Sequence, residues 1–349
     1  MTRPTRRAAA LALLLAAAGA SRAAEISCSA LAPARRAAVL NGTEYLKRFF
    51  EREERRAALS TDAVSIFLEL GETAADEEIR ASALAEARRL AAPLARAYAA
   101  PGGIEAHENL LGALSLLPDS GVLHLSRKSL LRAVSHRLAG PDPGTAYYGS
   151  AIDPARLDAL DGDALYAVLI SSYTVERARL AFPALPAARP DLGGVLRFVR
   201  SRPLAPLAAG DPGSDDFYLA THVAYVLSDY SRFRLEPGDL GKILPYLRDQ
   251  APHALATSDA EAAAEIVDVL RQLGRTDADP DVCRLSHLLL AAQRPDGSWA
   301  APDAEDAYDE VHPAWVAVQA LRDRIFRPEG AWTRRVRVLL AAPAPPRVP

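Results

Sequence analysis

One stretch near the C-terminus, Cys283–Leu321, limits the fold more than any other part of this sequence. It consists of two apolar helical segments on either side of an acidic loop. The first segment must end before Pro295, because proline lacks an N–H and fits poorly inside a helix. A turn then follows at Asp296-Gly297, since glycine accepts positive φ angles. The stretch therefore predicts a helix, a tight loop and a second helix.

Side chains around this loop are expected to hold it in place. Gln293 is expected to hydrogen-bond backbone groups that are left open where the first helix ends. Trp299 is expected to cover that helix end. The second helix is expected to start at about His312-Pro313, because proline suits the first turn of a helix, where its missing N–H costs nothing. The stretch thus predicts a helical hairpin pinned by a glutamine and a tryptophan.

The order Gln293, Gly297, Trp299 resembles the repeat of the terpene cyclase and protein prenyltransferase superfamily, the α/α toroids. Those repeats read Gln, a few residues, Gly, any residue, Trp. Asp309 and His312 also resemble the metal-bearing helix start of protein prenyltransferase β subunits, in which an Asp stands three residues before a His. One good copy of the repeat occurs in the 349 residues. The resemblance implies an α/α toroid, a ring of about six helical hairpins.

Helical segments alternate with Pro/Gly turns along the rest of the chain. No run of alternating Val, Ile, Thr and Tyr requires a sheet. The sequence therefore predicts an all-α protein with one domain over residues 30–342. About a dozen helices in consecutive pairs can close into a ring or form an open helical solenoid. The Pro-rich tail at 343–349 is predicted to be disordered.

The N-terminus predicts an exported protein. Arg3, Arg6 and Arg7 precede an apolar run from Ala8 to Ala18, and small-residue cleavage patterns follow. This arrangement is typical of a secretory signal peptide over residues 1–24, and hence of a secreted or periplasmic protein. The alternative is an uncleaved anchor helix, although the apolar run is short for a membrane span. No later segment is long and apolar enough to cross a membrane.

The charge balance argues against nucleic acid as a partner. The 41 Lys and Arg residues are matched by 44 Asp and Glu residues, which gives a formal net charge of −3. The sequence also contains no Gly-rich phosphate loop, no nucleophile elbow and no zinc-protease helix motif. The expected ligand is therefore a small molecule or a saccharide.

Two cysteines, Cys28 and Cys283, leave two alternatives open. In an oxidising compartment they can pair and tie the N-terminus to the helical domain, or both can remain thiols. His287 lies one helical turn after Cys283, a spacing that can hold a metal. Two ligands alone are more typical of core packing, and two cysteines do not make a zinc ribbon.

The best catalytic candidates lie on one predicted helix. Asp215, Tyr218, His222 and Tyr225 share a broad helix face through their i, i+3, i+4 and i+7 spacing. A histidine between two tyrosines on an otherwise apolar helix is costly to bury unless it has a partner. His222, Tyr218 and Tyr225 are therefore candidate catalytic residues. The alternative is a core histidine that a neighbouring carbonyl satisfies.

His312 is the second catalytic candidate, because Asp309 and Glu310 precede it in an acidic segment. Imidazole and carboxylate groups are good ligands for a divalent metal. His222, His312 and Asp309 are therefore predicted to share one metal ion, or the histidines to act as acid and base. No specific cofactor is identified beyond this expected divalent metal. The alternative is a solvated acidic loop ahead of a helix.

Three aromatic residues are candidate substrate contacts: Trp299, Tyr308 and Tyr147. Tyr147 lies in a loop predicted over Gly140–Pro154, where it is placed either to stack on a sugar or to pack within the loop.

Three functions remain open from the sequence. The first is an exported enzyme whose His/Asp/Tyr site acts on a carbohydrate or other small polar substrate. Exported α/α toroids often act on polysaccharides, and a Tyr/His pair can move protons, whereas hydrolysis needs two placed carboxylates. The second is a non-catalytic binding or scaffold protein that keeps the fold. The third is a divergent terpenoid cyclase or prenyltransferase relative, against which the missing aspartate motif, the missing Asp-x-Cys element and the export signal all count.

Overall fold

The computed structural model describes residues 27–140, 143–150, 152–207, 215–299, 304 and 306–341. Within these residues all regular secondary structure is helical, apart from one isolated β-bridge between Ala74 and Arg324. The predicted all-α class is therefore confirmed. The predicted signal peptide and the predicted C-terminal tail lie outside the described residues.

The described residues form sixteen α-helices and two short 3-10 turns, at Cys28–Ala30 and Pro154–Ala159. In chain order the helices are α1 Leu31–Glu51, α2 Glu53–Ala58, α3 Ser60–Thr73, α4 Glu77–Ala99, α5 His107–Leu116, α6 Arg127–Arg137, α7 Pro143–Tyr148, α8 Gly162–Ala181, α9 Leu192–Ser201, α10 Asp215–Leu227, α11 Pro237–Leu240, α12 Ile243–Thr257, α13 Ala260–Gln272, α14 Pro280–Ala292, α15 Ala307–Leu321 and α16 Ala331–Ala341.

The chain divides into two compact units. The first unit contains the residues up to Phe49 together with Arg248–Asp323, and the second contains Phe50–Leu247 and the residues from Arg324 onward. In the first unit α13 packs against α14 and α15. In the second unit α8 packs against α5, α9 and α10, and α3 packs against α4. The prediction of a closed ring of hairpins stays a prediction.

Aspartates begin many of these helices. Each of the following side chains accepts a backbone N–H in the first turn of the helix after it: Asp76, Asp161, Asp191, Asp259, Asp279 and Asp306. The contact satisfies a donor that has no partner within the helix. Asp279 caps α14, which begins at Pro280.

Two helices are buried around almost their whole circumference. Every residue of α13 from Ala262 to Gln272 is buried, and so are Phe217 and Leu219–Leu227 of α10. Helices with this pattern belong to the core of a protein. Their few polar side chains, including Glu265 on α13 and His222 on α10, therefore lie in the interiors of their units.

The Gln–Gly–Trp loop, residues 293–299, is built largely as predicted. The Gln293 side-chain amide donates to the Ala38 carbonyl of α1 at 2.9 Å and to the Gly297 carbonyl at 3.3 Å. The Trp299 indole N–H donates to the Leu289 carbonyl, near the end of α14, at 2.7 Å. The Trp299 bond lies at the end of α14, as predicted, whereas the Gln293 amide bonds the loop and α1 and not the open groups of that helix end.

Two glycines let the first unit close tightly around this loop. Gly297 has a φ of +89°, and a Cβ there would lie 2.4 Å from the Asn41 carbonyl oxygen. A Cβ on Gly42 would lie 2.5 Å from the Val318 side chain and 2.8 Å from the Trp299 ring. Only glycine fits both places, so α1, α15 and the loop are held in mutual contact.

Helix boundaries differ from the prediction at two places. Helix α15 begins at Ala307, capped by Asp306, so Pro313 lies inside the helix and the predicted start at His312-Pro313 is wrong. The Asp306 cap starts the helix upstream of the proline, and Pro313 removes the bond to the Asp309 carbonyl without ending the helix. The segment predicted as a loop around Tyr147 also contains the short helix α7.

Candidate functional site

His222 lies on α10 in the second unit, and its two ring nitrogens have different partners. Nδ1 lies 2.8 Å from the Tyr218 carbonyl oxygen, and Nε2 lies 3.3 Å from the Tyr166 hydroxyl oxygen. A carbonyl oxygen only accepts hydrogen bonds, so the neutral ring carries its proton on Nδ1. The lone pair on Nε2 is therefore directed at the Tyr166 hydroxyl, which donates to it.

Aromatic rings hold the imidazole of His222 on its sides. Tyr166 and Tyr225 both meet it edge to face, with ring centroids 4.7 Å and 5.1 Å away. Tyr225 in turn stacks on Tyr230 at 5.8 Å. Edge-to-face and offset contacts are the favoured arrangements of such rings, so this aromatic cluster fixes the orientation of the imidazole. Of the predicted catalytic residues, the cluster thus includes His222 and Tyr225, and Tyr218 contributes its carbonyl.

A turn with unusual backbone angles supports this cluster. Asp229, Tyr230 and Ser231 have φ angles of 53°, 52° and 64°, a region that side chains with a Cβ rarely occupy. Each such residue costs on the order of 1–3 kcal/mol unless its surroundings compensate. The Asp229 carboxylate accepts hydrogen bonds from the Tyr173 hydroxyl at 2.7 Å and from Arg177 at 2.6 Å. These bonds hold the turn and place Tyr230 against Tyr225.

The same turn belongs to an ion network that is largely buried but includes the exposed Arg327. Its members are three carboxylates and three guanidinium groups, those of Glu72, Asp119, Asp229, Arg177, Arg232 and Arg327. Arg177 binds both oxygens of Asp119, at 2.8 Å and 3.0 Å. Burial opposes the charge of Asp119, but Arg177 and Arg232 outweigh it and lower the pKa of that carboxyl group. The charges therefore neutralise one another within the network.

The N-terminal ends of α8 and α10 carry a group of acidic residues. Asp161 and Asp163 stand at the start of α8, and Asp215 and Asp216 at the start of α10. A Cβ on Gly162 would lie 2.0 Å from the Asp215 Cβ, so the two helix ends touch. Desolvation and the nearby carboxylates of Asp163, Asp161 and Asp216 raise the pKa of Asp215. Tyr166 and His222 follow this acidic edge by one to two turns on the same helices.

His312 lies on α15 in the first unit, where carboxylates from α13 face it. Its Nδ1 is 2.7 Å from a carboxylate oxygen of Glu261, and its Nε2 is 3.9 Å from a carboxylate oxygen of Glu265. Glu265 is fully buried, whereas 27% of the Glu261 side chain is exposed. Tyr308 stacks on the imidazole with ring centroids 4.6 Å apart and is itself 37% exposed. This second arrangement is a histidine between two glutamates under a half-exposed tyrosine.

Asp309 is placed differently from the other predicted ligands. It is exposed, and its backbone N–H donates to the Asp306 cap. The carboxylate that bonds His312 is that of Glu261. His222 and His312 belong to different units, and a metal shared by His222, His312 and Asp309 stays a prediction.

The predicted substrate contacts also differ in their surroundings. Trp299 is buried, with its N–H bonded within the loop. Tyr147 is fully buried, its hydroxyl donates to the Pro186 carbonyl at 2.9 Å, and burial raises its pKa. Of the three, Tyr308 presents the most surface to solvent. Contact of these residues with a substrate stays a prediction.

Three partners of the histidines were not found by reasoning from the sequence: Tyr166, Glu261 and Glu265. No local sequence signal marks Tyr166 as a partner, because it lies on another helix than His222 and 56 residues away in the chain. Glu265 does have a local sequence signal, because a carboxylate in the apolar run of α13 is costly to bury without a partner.

One group of three residues in the described part of the chain has metal-ligand geometry. The ligand atoms of Cys28, Cys283 and His287 all lie within 4.8 Å of one another. Cys28 and Cys283 form a disulfide with their Cα atoms 5.6 Å apart, so the paired alternative is the one observed.

Two further findings concern the chain as a whole. Among the described helices, none combines the length and the apolar character that crossing a bilayer requires. No family model matches the chain, and neither a curated protein nor a solved structure matches it. A function must therefore be inferred from the chemistry of the two histidine sites.

Proposed function

We propose that the chain is an exported acid–base enzyme that moves a proton on a carbohydrate or other small polar substrate. Tyr166 and His222 are its proton-transfer pair. The observation that carries this proposal is the contact between the Tyr166 hydroxyl and His222 Nε2, the ring nitrogen that the Tyr218 carbonyl leaves with a lone pair. A hydroxyl that is bonded to an imidazole lone pair is a standard arrangement for proton transfer.

In the proposed step the Tyr166 oxygen takes a proton from a C–H or O–H bond of the substrate. As that O–H bond forms, the original hydroxyl proton of Tyr166 passes to Nε2 of His222. The Nδ1–H bond to the Tyr218 carbonyl then stabilises the imidazolium, because the carbonyl dipole accepts from the charged ring. The reverse transfer returns a proton to the product. A positioned acid–base pair of this kind contributes about 10²–10⁴-fold to a rate.

The acidic edge of α8 and α10 limits the class of substrate. Desolvation and, after it, repulsion by the carboxylates of Asp163 and Asp161 raise the pKa of Asp215. An anionic substrate would meet the same repulsion. A neutral or cationic substrate, such as an aldose or an amino sugar, is therefore favoured over a uronate.

Solvent-proton exchange tests the proposal whatever the final product is. Neutral sugars, amino sugars and uronates are incubated with the protein in D₂O, and deuterium incorporation at carbon is followed by NMR. We expect exchange in a neutral or amino sugar, with a rate that falls about 10²-fold or more in Tyr166→Phe and His222→Gln. Tyr246→Phe is the matched control, because Tyr246 belongs to the same unit and its hydroxyl donates to the Ala205 carbonyl instead.

A non-catalytic binding protein is the second candidate. One observation favours it, namely that both ring nitrogens of His222 already have partners within the protein. Sugar binding without any exchange, or exchange that Tyr166→Phe leaves unchanged, would support this candidate and reject the proton-transfer pair.

Export is the part of this proposal that depends on the N-terminus. The arginine-led apolar run supports it, with cleavage near residue 24. Mass spectrometry of protein recovered from the producing cell should show a chain that starts between Ser21 and Glu25. A soluble cytosolic pool that retains Met1 would contradict export.

A further inference from the structure

We propose that Cys28, Cys283 and His287 form a redox-controlled site for a zinc-like divalent cation. The site is closed while the two cysteines form their disulfide, and a dithiol reductant opens it. This inference concerns the first unit and does not depend on the Tyr166–His222 pair.

The positions of the three side chains support the site. Cys283 and His287 are four residues apart on α14, so both face the same side of the helix, and the disulfide holds Cys28 against that face. Their ligand atoms lie within 4.8 Å of one another. In a tetrahedral zinc site, bonds of about 2.0–2.3 Å leave ligand atoms roughly 3.5–4 Å apart. After the sulfur–sulfur bond breaks, the two sulfur atoms must move apart to reach this geometry.

His287 supplies an independent observation. Its Nδ1 atom is shielded from solvent and has no hydrogen-bond partner among the described residues. A buried polar atom without a partner is costly, and native structures usually satisfy it. A metal ion bound at the adjacent sulfur atoms would give the imidazole a partner, since neutral imidazole is a good zinc ligand.

Reduction of the disulfide and binding of the cation are two separate steps. A dithiol gives two electrons and two protons to the disulfide, which becomes two thiols while the dithiol becomes a disulfide. A divalent cation then binds both sulfur atoms and a neutral nitrogen of His287, and the two thiols release two protons. Two thiolates neutralise the charge of the cation. Three protein ligands leave a fourth position for water, as in open zinc sites.

Cobalt binding tests the site, because Co²⁺ replaces zinc and reports its ligands by colour. The chain is reduced with tris(carboxyethyl)phosphine without oxygen, desalted and titrated with Co²⁺. We expect one Co²⁺ per reduced chain, with tetrahedral visible bands and a sulfur-to-cobalt charge-transfer band that Zn²⁺ abolishes. The disulfide form should show neither band. His287→Ala should weaken binding at least about tenfold, whereas His253→Ala, on α12, should not.

Three outcomes would overturn the proposal. The first is a reduced chain that keeps its helical circular dichroism but shows no tetrahedral cobalt spectrum. The second is equal affinity in His287→Ala and the unmodified sequence, because the thiols alone would then bind the metal. If reduction unfolds the chain, Zn²⁺ is added while the circular dichroism is followed. Recovery of the helical signal supports the site, and failure to recover is the third outcome that overturns it.

Discussion

The second unit surrounds His222 with tyrosines, whereas the first unit places His312 between carboxylates. Both histidines are buried and lie on well-buried helices. Their hydrogen bonds nevertheless differ in direction. Nε2 of His222 accepts from a phenol, whereas Nδ1 of His312 donates to Glu261, because a carboxylate only accepts.

Arginines lie next to buried carboxylates in both units, as Arg322 and Asp268 do in the first, so the difference lies in the groups beside each histidine. In the second unit, arginines bind the carboxylates of Glu72, Asp119 and Asp229. His222 itself lies in mostly aromatic surroundings. In the first unit, Glu261 bonds the histidine itself. The same residue type thus bonds a phenol in one unit and a carboxylate in the other.

The largest expected effect comes from breaking the arginine network. Arg177→Met would leave Asp119 and Asp229 buried without their main partner, and we expect the free energy of unfolding to fall by about 3–5 kcal/mol. Urea denaturation followed by circular dichroism measures the loss.

Arg35→Met in the first unit is the matched comparison for that loss. Asp277 keeps its contact with Arg271, and 58% of the Asp323 side chain is exposed, so the loss there should be clearly smaller. Equal losses in the two variants would contradict the view that Asp119 and Asp229 depend more on Arg177 than Asp277 and Asp323 depend on Arg35.

The two histidines should also differ in their contribution to stability. His312→Phe removes the bond to Glu261 and leaves the fully buried Glu265 without the neighbouring ring nitrogen, so we expect a loss of about 3 kcal/mol. His222→Phe keeps an aromatic ring in the cluster and removes two neutral hydrogen bonds, so about 1–2 kcal/mol should be lost. Urea denaturation of both variants measures the difference. A larger loss for His222→Phe would reverse the comparison.

Local features of the fold were predictable from the sequence, and the contacts of the sites were not. Proline, glycine and aspartate mark most helix ends because their effects act within a few residues, as Asp279 and Pro280 show. The exception, the start of α15, arose where an aspartate cap and an internal proline gave conflicting signals. The bonds from Tyr166 to His222 and from Glu261 to His312 span 56 and 51 residues. Helical periodicity shows which face of a helix is buried but does not identify the residue opposite.

Acid should weaken the arginine network in a defined direction. Arg177 and Arg232 hold the pKa of Asp119 below its usual value in the folded chain, against the opposing effect of burial. Below about pH 4 the unfolded chain therefore binds a proton that the folded chain does not yet take up. The contribution of Asp119 to the free energy of unfolding is complete above about pH 4 and is lost as the pH falls through the lowered pKa of this carboxyl group.

Urea denaturation at a series of acidic pH values measures this loss. Asp119→Asn should start from a lower stability and decline less steeply, because the titrating group is gone. Parallel curves for the two proteins would show that Asp119 does not set the acid sensitivity.

The smallest effect, and the most direct test of the difference between the histidines, concerns the Tyr166 hydroxyl. Tyr166→Phe should cost only about 0.5–1.5 kcal/mol, because one neutral hydrogen bond of a half-buried side chain is lost. The ¹⁵N NMR spectrum of this variant should nevertheless change clearly, since Nε2 of His222 keeps its lone pair but loses the hydroxyl that donates to it.

The protein has seven histidines, and the spectra of His222→Phe and His312→Phe identify the signals of these two. We expect His222 to carry its proton on Nδ1 and the Tyr166→Phe change to be confined to Nε2 of that ring. His312 should show N–H character at Nδ1, where Glu261 accepts, and should not respond to Tyr166→Phe. If His222 instead carries its proton on Nε2, Tyr166 must be the acceptor of that bond, and the imidazole could not take the hydroxyl proton in the proposed step.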